Sequence, residues 1–229
     1  MPYGYTGKIL RVDLTNRKID IEMRDDAFYR MYMGGKAMIA YYLMNELPRG
    51  IDAFDPQNIL VFAAGPLTGA AVSGQGRNGV GAKSPLTDGF GNAEGGGYWG
   101  AELKRAGFDG IIVKGCAPTG KPVYLWIHEG KIEFRDATHL WGKTVGETED
   151  AMRAELNDPS TSSGAIRTAL IGPAGEQRVR FAAIVNDRSH VVGRTGLGAV
   201  MGSKNLKGIA VRAQPGKSQM QIANPAGVA

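Results

Sequence analysis

Two stretches of the chain alternate apolar and polar residues as the strands of a β-hairpin with one buried face do. The first covers residues 6–22 and turns near Arg17, and the second covers residues 121–136 and turns near Gly130. A period of two residues places every second side chain on the same face of a strand. The pattern therefore predicts two hairpins of the same design.

A helix and an apolar strand are predicted after each hairpin. Apolar residues at helical spacing predict one helix over about residues 25–47 and another over about residues 144–156. Each helix leads to a strand that ends in Gly-Pro, over residues 58–66 and 166–173. The order hairpin, helix, strand thus occurs twice.

The two repeats also end alike, each with a glycine-rich loop, a short helix and a strand. Gly100–Lys114 matches Gly198–Arg212 in this way. We interpret the chain as two related halves, about residues 3–115 and 121–213, that pack as one pseudo-twofold domain of residues 1–212. A chance match between degenerate patterns is the alternative. Residues 213–229 lose the apolar period and are predicted to be a linker or the start of further domains.

Composition is that of an ordinary globular protein except in glycine. Hydrophobic residues make up 43% of the chain and charged residues 21%, which excludes a disordered chain, a coiled coil and a collagen-like repeat. Glycine occupies 34 of 229 positions, about twice its usual share. The net charge of +5 permits an anionic partner, but no dense basic run or finger motif predicts nucleic acid.

Cysteine and histidine limit the chemistry further. Cys116 is the only cysteine, so the chain cannot by itself supply a disulfide, a cysteine-held iron–sulfur cluster or a thiolate zinc site. We expect a cytoplasmic protein without a membrane span, since no signal-type region or long apolar stretch is present. His128 and His139 are predicted to be solvated or packing residues. His190, just before the second glycine-rich loop, is a candidate ligand contact, and Cys116 is predicted to be inert.

The densest glycine segment is residues 65–100, with 12 glycines in 36 residues. Gly74–Gly79 matches the G-x-G-x-x-G sequence of a dinucleotide-binding fingerprint. However, no strand directly precedes it, and Pro85 blocks the helix that should follow. Gly81–Ser84 resembles the end of a phosphate loop only weakly, because Ala82 interrupts it. Neither motif therefore predicts a nucleotide site.

Two glycine-rich loops each open a helix, at Glu94–Gly97 and at Gly193–Gly196. Unpaired N–H groups at a helix N-terminus attract phosphate. The same loops carry four cations that could neutralise it: Arg77, Lys83, Arg188 and Arg194. Across a pseudo-twofold axis, two such sites predict a ligand with two anionic heads. The alternative is that the glycines only permit tight turns and close packing.

Five blocks in order along the chain resemble the N-terminal domain of the tungsten-containing aldehyde:ferredoxin oxidoreductases. They are Ala63–Gly69, Ala82–Thr87, Gly96–Asp109, Ile171–Glu176 and Gly193–Lys207. The resemblance implies an α+β fold of two β-sheets with short helices. It also implies a tungsten bis-pyranopterin cofactor whose phosphates are bridged by Mg²⁺.

The resemblance assigns cofactor contacts to the two glycine-rich loops. The expected cofactor-binding residues are Arg77, Asn92, Ala93, Glu94, Gly95, Gly96, His190, Val191, Gly193, Arg194 and Gly196. Glu94 and Val191 are the expected Mg²⁺ contacts, Val191 through its main-chain carbonyl. Two positions depart from the family pattern, because Glu94 stands where an asparagine is expected and His190 where an arginine is expected.

Family enzymes also have further domains that the resemblance says hold a [4Fe-4S] cluster and groups for aldehyde oxidation. We therefore expect this chain to hold the cofactor in an aldehyde-oxidising enzyme that passes electrons to ferredoxin, with no catalytic residue of its own. The remaining domains or a partner subunit would complete the enzyme, and a bare apolar face would favour self-association. The rival hypothesis is a non-catalytic module that binds pterin or a nucleotide.

Overall fold

The computed structural model describes residues 3–156, 165–214 and 220–227. The strands within them are β1 (Lys8–Asp13), β2 (Lys18–Met23), β3 (Leu60–Ala64), β4 (Asn78–Lys83), β5 (Phe90–Gly95), β6 (Gly110–Lys114), β7 (Val123–His128), β8 (Lys131–Asp136), β9 (Arg167–Leu170), β10 (Ile184–Asn186), β11 (His190–Val192) and β12 (Leu206–Arg212). The helices are α1 (Asp26–Tyr32), α2 (Gly35–Glu46), α3 (Trp99–Arg105), α4 (Val145–Glu155), α5 (Pro173–Glu176) and α6 (Leu197–Ser203), with short 3₁₀ turns at Thr138–Leu140 and Pro225–Gly227. In these ranges no helix is both long and apolar enough to cross a bilayer.

The strands form two six-stranded mixed sheets with the same strand order. The first sheet runs β2-β1-β6-β3-β4-β5 and the second runs β8-β7-β12-β9-β10-β11. The first hairpin strand pairs in parallel with the last strand of its half in both sheets, as β1 with β6 and β7 with β12. This shared topology confirms the predicted α+β fold with two related sheets. The division into residues 1–212 and 213–229 stays a prediction.

The core follows the two-residue period of the strands. In β6, Ile111 and Val113 face the cluster that lies between the sheets, whereas Ile112 faces the cluster beneath α1 and α2. In β7, Leu125 and Ile127 face the same central cluster, whereas Tyr124 and Trp126 pack toward α4. Helices α3 and α6 contact strands of both sheets. The layers of the molecule are therefore, in order, helices α1 and α2, the first sheet, helices α3 and α6, the second sheet, and helix α4.

One predicted helix is two. The segment predicted as a single helix over residues 25–47 breaks between α1 and α2 at Met33 and Gly34, where both residues have positive φ. A Cβ atom at Gly34 would collide with the carbonyl oxygen of Ala64. The helix ends there because the chain must pass close to the end of β3, and only glycine permits both the turn and the approach.

The glycine-rich segments predicted as loops contain strands β4, β5, β10 and β11. Gly79 and Gly81 lie in β4, and a Cβ atom at either would press into Ile39 of α2. Glycine is generally depleted in strands, but here it allows the helix to lie close to the sheet. Each half therefore has six strands instead of the four that its sequence pattern predicts.

A buried carboxylate fixes the N-terminal strand to the rest of the first half. Asp109 accepts hydrogen bonds from the N–H groups of Thr6 (3.0 Å) and Gly7 (2.8 Å) and from the Tyr29 hydroxyl (2.7 Å). Its second oxygen lies 2.9 Å from Lys104 Nζ, and neither side chain of this pair is exposed. Removing one partner of a buried pair leaves the other charge uncompensated.

We predict that Lys104→Met lowers the free energy of unfolding by about 3 kcal/mol or more, because it leaves the buried Asp109 carboxylate without its cation. Urea unfolding of both proteins measures the loss. Lys114→Met is the matched control, since Lys114 pairs with Asp13 at 3.3 Å while mostly exposed and should cost less than about 1 kcal/mol. Equal losses in the two variants would show that the buried pair has no special role.

Lys204 is a second buried cation, and it links the two halves. Its Nζ donates to the carbonyl oxygens of Pro56 and Gly115, each at 3.2 Å, and no part of the residue is exposed. Burial lowers the pKa of Lys204 to about 8, although the nearby Cys116 and Asp55 oppose the shift. The folded state therefore releases this proton at a lower pH than the unfolded state does.

We predict that the free energy of unfolding gains a contribution from Lys204 as pH rises from about 8 to about 10.4. In that window the unfolded chain still binds the proton, and the folded chain does not. The gain is roughly 3 kcal/mol at about 1.4 kcal/mol for each unit of pKa. Lys204→Met should lack this gain. The free energy of unfolding of the wild type minus that of the variant should therefore increase over this range. A difference that does not change with pH would contradict the prediction.

Candidate functional site

A cleft opens where the two sheets meet edge to edge. β5 is the outermost strand of the first sheet, β11 is the outermost strand of the second, and these two strands contact each other. The cleft has a volume of about 650 Å³. Its walls come from both halves of the chain and from the start of α2: Lys36, Arg77, Asn92, Ala93, Glu94, Val191, Gly193 and Arg194.

Seven of the eleven residues predicted to bind cofactor line this cleft. They are Arg77, Asn92, Ala93, Glu94, Val191, Gly193 and Arg194. The other four, Gly95, Gly96, His190 and Gly196, lie outside its lining. A side chain on Gly95 would press on Val192 and Asn186, and one on Gly196 would collide with the Arg180 carbonyl. These glycines thus allow chain segments to pack closely beside the cleft.

The two residues predicted to contact Mg²⁺ occupy equivalent places in the two sheets. Glu94 is the penultimate residue of β5, and Val191 is the penultimate residue of β11. Both line the cleft, so a carboxylate and a main-chain position face it from opposite halves. No group of three or more His, Cys, Asp or Glu side chains suited to a metal occurs among the described residues. A cation bound here would need oxygen ligands from a bound small molecule as well as from the protein.

The N-terminus of α3 is not the open anion site that the sequence predicts. Asp187, in the turn between β10 and β11, accepts hydrogen bonds from the N–H groups of Tyr98 (2.6 Å) and Trp99 (3.1 Å). Burial raises the pKa of Asp187, and the hydrogen bonds from Tyr98 and Thr168 oppose that shift. The second half of the chain therefore caps the helix of the first half.

The start of α6 is held by Ala182 of its own half and by Ser84 of the opposite half. The N–H of Gly198 donates to the carbonyl of Ala182 at 3.0 Å, which occupies one of the groups that the prediction left open. Ser84, at the start of the turn between β4 and β5, donates from Oγ to the Thr195 carbonyl at 2.8 Å. The hairpin of each half thus reaches the start of the helix of the other half.

Of the four cations predicted to neutralise an anion, two are engaged elsewhere. Lys83 donates to the Ile51 carbonyl at 2.7 Å and pairs with Asp88, while Arg188 pairs with Glu149 and Asp150. The side chains of the remaining two, Arg77 and Arg194, have no hydrogen-bond or ion-pair partner among the described residues. The same holds for Lys36, which the sequence analysis missed. The Gly34-Gly35 pair before Lys36 was the available signal, because such a pair marks a helix start without a side-chain cap.

A smaller cavity of about 380 Å³ adjoins the cleft and shares Arg77 and Glu94 with it. The segments after β3 and before β4 form much of its wall, together with Gly35 and the buried Asn78. Asn78 Oδ1 accepts a hydrogen bond from Asn186 Nδ2 at 2.8 Å, which is a further contact between the halves. Within the described residues, Asn78 Nδ2 and Asn186 Oδ1 are buried without a partner.

The remaining candidate residues have structural surroundings. His128 stacks on Trp126 and lies 3.1 Å from a Glu133 oxygen, and His139 lies 3.1 Å from Glu155. His190 packs its ring against Gly96 and Gly97. Burial raises the pKa of the Cys116 thiol, which agrees with its predicted inertness.

Comparison with known proteins places this chain in a family. Residues 9–213 match the family model described as aldehyde ferredoxin oxidoreductase, N-terminal domain. The chain is 47% identical over 222 residues to the tungsten-containing aldehyde ferredoxin oxidoreductase of Pyrococcus abyssi, covering 97% of this chain and 35% of that protein. It is 38% identical over 218 residues to the WOR-like subunit of an aliphatic sulfonate oxidoreductase of Pyrococcus furiosus, covering 90% of this chain and 34% of that protein.

A solved structure shows the same fold. The chain superposes with a TM-score of 0.88 and 40% identity on a chain of the active-site complex BamBC of benzoyl coenzyme A reductase in complex with 1,5-dienoyl-CoA. The match covers 97% of this chain and 32% of that one. The chain thus spans about a third of the length of the relatives it matches. By its sequence and its fold, it belongs to the aldehyde ferredoxin oxidoreductase family, as an N-terminal domain.

Proposed function

We propose that this chain holds one side of a tungsten bis-pyranopterin cofactor in an enzyme that oxidises aldehydes to carboxylic acids. The observation that carries the proposal is the cleft between β5 and β11. Each half contributes to it one cation that has no side-chain partner among the described residues, Arg77 from the first half and Arg194 from the second. A ligand with two anionic heads suits a cleft that two related halves build together. The tungsten in the names of the relatives supports a tungsten cofactor as that ligand.

The residues of the cleft fit such a group. Arg77 and Arg194 would each donate two parallel hydrogen bonds to a phosphate, which arginine does better than lysine. Glu94 and the Val191 carbonyl would offer oxygen ligands to a Mg²⁺ ion that accompanies the phosphates, and Mg²⁺ prefers oxygen. The glutamate at position 94 would add a negative charge that an asparagine lacks, which strengthens its attraction for a cation.

The part that this chain plays is to bind and orient. The chemistry that a tungsten–pterin group supplies when bound is two-electron oxidation, in which an aldehyde and water give a carboxylic acid, two protons and two electrons. Protein residues around such a group position it and tune its electronics. Among the described residues, Glu94 is the only carboxylic acid that lines the cleft, and we assign it to the cation and not to proton transfer.

Substrate choice is proposed to lie outside this domain. The relatives that share it are named for an aldehyde, an aliphatic sulfonate and a benzoyl thioester. One scaffold that serves three substrate classes fits a role in holding the cofactor. The [4Fe-4S] cluster, the passage of electrons to ferredoxin and the contacts with aldehyde are proposed for further domains or a partner subunit. A cytoplasmic location and self-association through a bare apolar face also remain proposals.

We predict that Arg77→Gln/Arg194→Gln lowers bound tungsten and pterin at least tenfold, because both phosphates lose their bidentate donors. The measurement is mass spectrometry for W, Mo, Mg and Fe, with fluorescence of the oxidised pterin, on protein purified without air. Arg30→Gln/Arg49→Gln is the matched control, since it removes the same charge from residues outside the cleft.

Two results would overturn the proposal. Equal tungsten and pterin in the cleft variant and the control would place the cofactor elsewhere. Pterin or a nucleotide bound to the wild type without any metal would favour the non-catalytic binding module instead.

A further inference from the structure

The antiparallel ladder between β3 and β4 stops directly before Arg77. Its last pair joins Ala64 to Asn78, so the next pair along the ladder would join Gly65 to Arg77. The Ala64 N–H donates to the carbonyl of Asp109, directly before β6, at 2.9 Å. Because successive residues of a strand direct their N–H groups to opposite neighbours, the Gly65 N–H is directed toward the β4 side. The next ladder hydrogen bond would therefore run from this N–H to the Arg77 carbonyl.

The hydroxyl of Thr68 occupies the place of that hydrogen bond. Thr68 Oγ1 accepts from the Gly65 N–H at 2.9 Å and donates to the Arg77 carbonyl at 2.9 Å. Thr68 is 5% exposed, so this bridge is shielded from solvent. The Thr68 N–H also donates to the Gly65 carbonyl at 3.2 Å, which closes a short turn. One side chain thus joins the end of β3 to the residue before β4.

The main chain of Arg77 is held by this bridge. The Arg77 carbonyl accepts from Thr68, and no other hydrogen bond to Arg77 occurs among the described residues. The Arg77 guanidinium lines both the cleft and the smaller cavity. A second cross-link in the same loop, from the Gly69 N–H to Gln75 Oε1 at 2.9 Å, ends two residues before Arg77. The place from which the guanidinium reaches into the cleft therefore depends on the Thr68 hydroxyl.

The other end of the bridge is fixed to the core. The Gly65 carbonyl accepts a hydrogen bond from Lys104 Nζ at 2.9 Å. Lys104 in turn pairs with Asp109 at 2.9 Å, and neither side chain of that pair is exposed. Thr68 therefore connects Arg77 to a segment that a buried ion pair holds in place.

The arginine that the second half contributes to the cleft is held differently. The Arg194 carbonyl accepts from the hydroxyl of Thr195 at 2.7 Å, but Thr195 is the next residue along the chain. A bond between neighbours in sequence does not fix Arg194 relative to another segment. The bridge from Thr68 spans nine residues, so it restrains Arg77 relative to β3.

We propose that Thr68 is a positioning residue for the cofactor and acts through Arg77. Its hydroxyl separates a donor and an acceptor that would otherwise meet directly. Without the hydroxyl, the Gly65 N–H and the Arg77 carbonyl either close on each other or stay unpaired, and both outcomes change how Arg77 is held. The inference rests on the proposed function for the identity of what Arg77 binds.

The first test is a ¹H–¹⁵N relaxation measurement on the full 229-residue chain. We expect Thr68→Val to lower the order parameter of the Arg77 amide from about 0.85, the value of a rigid backbone, to about 0.6 or less, or to shift the Arg77 Nε–H signal if the strands close. Thr68→Ser keeps the hydroxyl and should restore the wild-type values.

Thr148→Val is the matched control for this measurement. Thr148 is fully buried in α4, outside the lining of the cleft, and its hydroxyl donates to the Thr144 carbonyl at 2.7 Å. The control removes a hydrogen bond of the same kind and should leave the Arg77 signals in place. Arg77 signals that respond no more to Thr68→Val than to Thr148→Val would overturn the inference.

The second test asks whether Thr68 acts through Arg77. Thr68→Val should lower bound tungsten and pterin about tenfold, as the loss of a residue that supports a ligand-binding side chain typically does. Thr68→Ser and Thr148→Val should hold nearly as much as the wild type. In an Arg77→Gln background, Thr68→Val should have no further effect, because the residue that it positions is already gone. An equal loss in both backgrounds would show that Thr68 acts elsewhere and would overturn the inference.

Thr68→Ala is the second variant in case Thr68→Val does not fold. It removes the hydroxyl and places no methyl group between the two main-chain groups. A Thr68→Ala protein that matches the wild type in the Arg77 signals and in bound tungsten overturns the inference in the same way.

The outcome is separate from that of the cofactor measurement. If no protein, the wild type included, holds tungsten or pterin, the cofactor role fails, and the relaxation measurement still decides whether Thr68 positions Arg77. If the wild type holds both and Thr68→Val holds as much, the cofactor role stands and the positioning role fails.

Discussion

The carboxylate of Asp187 joins the two halves of the molecule at the point where the cleft begins. It lies in the turn of a second-half hairpin and caps a first-half helix through Tyr98 and Trp99. Ser84 makes the reverse contact, from a first-half hairpin to Thr195 before a second-half helix. Each sheet thus extends its edge hairpin across the pseudo-twofold axis. The edges of β5 and β11 are held together in this way, and the cleft between them depends on it.

The contacts between the two halves also determine which polar groups stay open to the cleft. At the start of α3, the N–H groups of Tyr98 and Trp99 bond to Asp187 of the opposite half, and at the start of α6 the N–H of Gly198 bonds to Ala182 of its own half. Lys36, Arg77 and Arg194 line the cleft, and their side chains have no partner among the described residues. Gly35, at the uncapped start of α2, lines the adjoining cavity. Among the described residues of the lining, three cations face one carboxylate, so the cleft is positively charged overall and has no acid and base pair. It suits a domain that positions a cofactor better than one that transfers protons.

Much of the fold could be predicted from local sequence pattern. The hairpins, the duplication and the helix α4 follow from apolar periodicity and, in α4, from a capping box that spans only four residues. Arg77 and Arg194 were predictable as well, because they lie in the glycine-rich segments of the two repeats. The family resemblance added the equivalent pair Glu94 and Val191, which the strand register then placed in corresponding positions.

The rest depended on contacts that no local pattern encodes. The cap from Asp187 to Trp99 spans 88 residues of chain, and nothing near Asp187 indicates it. Gly79 and Gly81 suggest a loop, and only the position of Ile39 above them shows why a strand needs glycine there. The sequence does not distinguish Lys83 and Arg188 from the arginines of the cleft, and only the structure shows that each has ion-pair partners of its own.

Hydrogen exchange of the Asp187→Ala variant tests this account most directly. If Asp187 holds the two edges together, the amides of Tyr98 and Trp99 and those of β5 and β11 should exchange roughly fivefold to thirtyfold faster than in the wild type, since losing a helix cap costs about 1–2 kcal/mol. Amides of the remote hairpin β7–β8 should exchange as before. Unchanged exchange in β5 and β11 would contradict the claim that this cap maintains the cleft.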